Sequence, residues 1–207
     1  MFTQSNLSIK INISSLFKSS FETYYTSIIM PNKHRIHSIN LSDPFIMDLF
    51  SSPTEHISKC SQLQALILNE IESKCLENLL SNLACLPKFS SLAIALTNDL
   101  NVNNISSLIC QLPVFKYCKL SAIKIETFKS LPKSNGNVSS SIEHLVINGD
   151  YDHIDLDDVL SYVLQLCRLS IDCLTDSDEI ETIEYCSNLN NLTYLSLKIR
   201  SIQYNAF

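Results

Sequence analysis

The side chains best equipped for chemistry are a histidine pair, two acidic runs and eight cysteines. Their spacing builds no reactive site. His34-x-x-His37 lies in a strand-like stretch, where a three-residue step does not bring two imidazoles to one metal face. No third ligand follows at a workable distance, so both are expected to be surface histidines. The run Asp150-Tyr-Asp-His-Ile-Asp-Leu-Asp-Asp158 resembles a calcium loop but lacks glycine at its sixth position and glutamate at its twelfth. Carboxylates just ahead of an apolar-periodic stretch cap a helix and complement its dipole, and Asp176-Ser-Asp-Glu179 reads the same way. Two glycines cannot form a phosphate-cradling loop, and no G-x-S-x-G context surrounds any serine. The cysteines form no C-x-x-C pair and fall mostly at apolar positions, as small buried thiols in a reducing compartment would. Six N-x-[ST] sequons matter only in a secreted chain. No catalytic residue, cofactor or metal is expected.

The chain's organisation is more informative. The motif L-x-x-L-x-L recurs as Ile36-Ile39-Leu41, Leu63-Leu66-Leu68, Phe89-Leu92-Ile94, Phe115-Cys118-Leu120, Ile142-Leu145-Ile147, Leu166-Leu169-Ile171 and Leu192-Leu195-Leu197. The centres of these seven copies are spaced by 27, 26, 26, 27, 24 and 26 residues. One copy would mean little. Seven near one period predict an α/β leucine-rich repeat solenoid, with a curved parallel sheet on the concave side and helices on the convex side. Each motif reads as a short strand with its apolar residues inward, so all seven centres are expected to be buried. Helical spacing connects them at 75–86, 104–112, 155–166 and, more weakly, 178–189. Residues 1–35 read as an irregular first, capping repeat: an alternating run through Ile9, Ile11 and Ile13, then a helix over 15–30. Residues 36–207 carry the seven repeats in one continuous solenoid. A loop insertion near 130–141 is polar and turn-rich, after a short helical turn over 123–131. The chain stops soon after the last motif, so a fragment of a longer protein is expected.

This register assigns the residues facing the hollow of the sheet. The N-terminal positions, such as Ser38, Ala65 and Ser91, are small and bland. The C-terminal positions carry Tyr117, Lys119, His144, Arg168, Asp172, Tyr194 and Lys198. Tyrosine and arginine dominate binding energy at protein interfaces, which makes these seven the candidate partner-binding residues.

The copies at Cys60-x-x-Leu63-x-x-Leu66-x-Leu68-x-x-Ile71 and Leu112-x-x-Phe115-x-x-Cys118-x-Leu120-x-x-Ile123 resemble the cysteine-containing repeats of F-box proteins. An apolar residue six before the centre recurs at Cys60, Leu86, Leu112, Val163 and Leu189. The resemblance spans roughly residues 7–207 and implies the substrate-holding part of a ubiquitin-ligase receptor. In that family a separate F-box binds the Skp-type adaptor. No Leu-Pro-x-Glu opening of an F-box precedes the first repeat here, so adaptor binding is expected only through an F-box not present in this sequence. The asparagine ladder of other leucine-rich repeats is also missing; Ile71, Thr97, Ile123 and Leu174 stand at that position.

Composition narrows the partners. A net charge of −6 with scattered basic residues argues against nucleic acid or acidic lipid. No run approaches the roughly 18 apolar residues of a membrane helix, and no secretory signal opens the chain. The expectation is a cytoplasmic or nuclear protein-binding module. A free-standing scaffold or inhibitor with no ubiquitin role, and an extracellular receptor fragment, are the alternatives.

Overall fold

Apolar side chains two residues apart pack one side of a strand and leave the other side to solvent. Eight segments with this alternation form one sheet. The computed structural model describes residues 8–13, 18–42, 57–71, 73–96, 108–109, 112–125, 140–151, 163–175 and 190–201. Strands β1 (Ile9–Ile13), β2 (Ile36–Leu41), β3 (Ala65–Ile71), β4 (Ser91–Leu96), β5 (Tyr117–Ile125), β6 (His144–Tyr151), β7 (Arg168–Thr175) and β8 (Tyr194–Ser201) lie side by side in sequence order. Every neighbouring pair is parallel. The class is α/β, and the motif centres pair from strand to strand: Ile39 with Leu66, then Leu92, Cys118, Leu145, Leu169 and Leu195. The alternating N-terminal run joins this register as an eighth strand, with Ile11 beside Ile39.

The core lies behind the sheet. Ile39, Leu66, Leu92, Cys118, Leu145 and Leu169 are all buried, as are the motif residues three before them. Phe89 and Phe115 occupy that earlier position in adjacent repeats, and their rings stack at 6.1 Å. Helix α1 (Lys18–Tyr24), the helical turn α2 (Met30–Asn32) and helix α3 (Ser73–Leu83) lie among the described residues, and Leu108 and Ile109 are also helical. Parallel neighbours require a crossover, and α3 lies in the one from β3 to β4. It buries Leu76, Leu79, Leu80 and Leu83, whose three- and four-residue steps place them on one face. At about 1.5–3 kcal/mol for each fully buried leucine, this face outweighs the weak intrinsic helicity of so short a segment.

Backbone hydrogen bonds tie the repeats where the strands begin. In five successive repeats the carbonyl two residues before the centre accepts two N–H groups from the next repeat. Gln64 accepts from Ser90 and Ser91, both at 3.0 Å, and Ser90 accepts from Lys116 and Tyr117 at 2.9 and 3.0 Å. Lys116, Glu143 and Cys167 repeat the arrangement. This ladder satisfies main-chain groups without an asparagine at the position five after the centre, where Ile71, Thr97, Ile123 and Leu174 stand.

Several expectations are corrected. Leu195 is 54% exposed and Leu197 is 47% exposed, although their counterparts Leu169 and Ile171 are buried. Among the described strands β8 pairs only with β7, so one side of its apolar row has no strand neighbour there. The helical turn expected from Ile123 is not formed there, because β5 continues to Ile125. The helix expected over 15–30 is described only from Lys18, and it is not uniform. Pro31 has no N–H to donate and its ring crowds the preceding turn. That turn widens to a π-helix over Tyr25–Ile29, with the Met30 N–H reaching the Tyr25 carbonyl five residues back. The helices expected at 104–112, 155–166 and 178–189, and the 130–141 insertion, fall wholly or largely outside the described residues.

Candidate functional site

The side of the sheet away from the core is built by the residues that alternate with the buried ones. Parallel register then carries equivalent positions across neighbouring strands. Tyr117, His144, Arg168 and Tyr194 stand side by side on β5, β6, β7 and β8. At about 4.8 Å between strands, this row spans roughly 14 Å. Tyr117 and His144 are half-buried and meet edge to face, with ring centroids 6.4 Å apart. Arg168 is exposed, and Tyr194 is 53% exposed.

Two further rows run beside the first. Lys119 is half-buried and registers with Ala93 on one side and Val146 on the other. Asp172 and Lys198 are register partners, and the Lys198 ammonium sits 3.1 Å from the Asp172 carboxylate. That pair is largely exposed and contributes no more than about 1 kcal/mol. All seven sequence-derived candidates therefore share one face, four of them in a single row.

The N-terminal half of the face is less bland than its residue types imply. Asn69 donates from Nδ2 to Asn40 Oδ1 at 3.2 Å and to Ser42 Oγ at 2.9 Å, tying β3 to β2 and to the residue that follows it. Just beyond, Glu70 adopts a left-handed backbone at φ 61°, where the β3–β4 register slips by one residue. The slip recurs near the ends of β5, β6 and β7. Gly149, at φ 151°, lies at the corresponding slip in β6, in a region that only glycine enters freely. Lys10 and Asn12 also belong to this face, in register with Ser38 and Asn40. They were missed as face residues, although the Ile9-Ile11-Ile13 alternation already placed them on the opposite parity.

The face offers cations, phenol rings, an imidazole and amides. This is equipment for noncovalent binding. Among the described residues no three His, Cys, Asp or Glu side chains cluster as a metal site requires. His34 is exposed, and the Nδ1 of His37 lies 2.8 Å from the Arg35 carbonyl. The acidic segments at 150–158 and 176–179 lie outside the described side chains. Cys60 and Cys118 are buried thiols, whereas Cys85 is exposed. Burial pushes the Cys60 thiol up to about 11, an effect that Lys33 partly opposes. Tyr25 is pushed up to about 12 by its own burial and, secondarily, by Cys60. Among the described residues no helix is long and apolar enough to cross a membrane. Comparison with protein-family models, with curated proteins and with solved structures finds no match to this chain.

Proposed function

We propose that this chain is a leucine-rich repeat solenoid that holds a protein partner against the open side of its sheet. In this reading it serves as the substrate-recognition part of an F-box-type ubiquitin-ligase receptor in the cytoplasm or nucleus. The observation that carries the binding role is the single row of Tyr117, His144, Arg168 and Tyr194. Aromatic and arginine side chains are the ones that anchor protein interfaces, and here four strands bring such groups together from 78 residues of sequence, counted from Tyr117 to Tyr194. The period of about 26 residues and the sequential strand order support the repeat class. The ubiquitin-ligase role rests on the resemblance of the cysteine-containing repeats.

The test is partner capture. A partner is first identified by proximity labelling, and the triple variant Tyr117→Ala/Arg168→Ala/Tyr194→Ala is then compared with Ser38→Ala/Ser91→Ala. Anchors of this kind are worth about 2 kcal/mol or more, so capture by the triple variant should fall roughly thirtyfold or further. The serine variant should hold its affinity. Circular dichroism checks that both remain folded. Equal capture by both variants would place binding elsewhere on the molecule.

A further inference from the structure

The charge on the open side of the sheet runs against the charge of the chain. The protein has 21 acidic and 15 basic residues. Yet in the three strand rows of the C-terminal half of this face, Lys119, Arg168 and Lys198 are cationic and only Asp172 is acidic, while Lys10 lies at the other end, four strands from Lys119. Asp172 is already engaged by Lys198. Among the described side chains no carboxylate pairs with Lys119 or Arg168. Glu143, the nearest acid in sequence to the row, pairs with Lys116 at 2.7 Å where the strands begin. Concentrating cations on one face of an acidic protein creates a local potential opposite to its mean, and such a surface selects ligands by sign.

We infer that the C-terminal half of this face takes an acidic peptide segment of the partner, lying extended across the strands. This rests on the proposed binding role and specifies the chemistry of what is bound. The roughly 14 Å from Tyr117 to Tyr194 matches four or five extended residues at about 3.3 Å each. Lys119 and Arg168 meet carboxylates along that path, and the exposed ring of Tyr194, at the β8 end of the row, covers an apolar or aromatic side chain beyond them. A nucleic acid strand would also seek cations and rings. It is disfavoured because the protein as a whole is acidic.

The experiment uses the full chain and a fluorescein-labelled decapeptide of alternating Glu and Tyr, read by anisotropy. Controls are the Gln/Tyr and Lys/Tyr decapeptides and a labelled single-stranded oligonucleotide. The Glu/Tyr peptide should bind at least about fivefold more tightly than its Gln/Tyr counterpart and weaken as salt is raised. The variant Lys119→Gln/Arg168→Gln should lose about fivefold or more, whereas Lys59→Gln/Lys88→Gln, at exposed positions off the strands, should change less than twofold. Equal binding of the Gln/Tyr peptide, or tighter binding of the oligonucleotide or the Lys/Tyr peptide, would overturn the inference. If the triple alanine variant still loses its partner while the peptides are not distinguished, only the acidic specificity fails. If that variant keeps its partner, the face itself is wrong.

Discussion

Leu145 and Leu195 occupy the same position of the repeat motif and differ in burial, which allows the packing argument to be tested within one molecule. Leu145 is 4% exposed inside the continuous core, and Leu195 is 54% exposed on β8. Replacing leucine by alanine removes three carbons, worth about 2.4 kcal/mol at ~0.8 kcal/mol per buried methylene. At an enclosed site the unfilled cavity adds to this, so Leu145→Ala should cost about 2.7–5 kcal/mol. At Leu195 about half the transfer term applies and no closed cavity forms, which leaves roughly 1 kcal/mol. With a urea slope of about 2 kcal/mol/M, the two midpoints should fall by roughly 1.5–2.5 M and 0.5 M. The chain has no tryptophan, so far-ultraviolet circular dichroism is the suitable probe. Equal midpoint shifts with unchanged slopes would refute the claim that burial, and not motif position, sets the cost.

Two further outcomes follow from particular contacts. Asn69→Ala removes the bonds to Asn40 and Ser42 and should destabilise by about 1–2 kcal/mol; a double-mutant cycle with Ser42→Ala should show coupling, and strict additivity would deny the contact. Stability should also fall as pH rises from about 9 towards 11. The Cys60 thiol holds its proton longer when folded than unfolded, so its contribution is complete below its ordinary value of 9.0 and is lost through its folded value of about 11. Cys60→Ala should flatten that part of the stability profile, and a profile as steep as that of the unaltered chain would assign the alkaline loss to other groups.

Which residues face inward was legible from the chain alone, because strand alternation is a local property. Each motif carries its own apolar phase. Ile39, Leu66, Leu92, Cys118, Leu145 and Leu169 are buried as that phase requires, and the near-constant period already set each centre beside the next. The side-chain identities on the open face followed by parity, including the four that form the central row. What no local pattern could supply is where the first strand joins, how adjacent strands end, and which apolar rows are covered, since those depend on partners from distant points in the sequence. The pairing of β1 with β2 joins Ile11 to Ile39, across a segment whose helix is interrupted near Pro31. The slips at Glu70 and Gly149 depend on how adjacent strands end relative to each other. Leu195 carries the same residue in the same phase as Leu169, yet stays exposed because burial belongs to the pair of surfaces and not to the side chain. The same reason explains the excess of cations on the open face. Lys119, Arg168 and Lys198 are scattered along an acidic chain and become one surface only when parallel register stacks their strands.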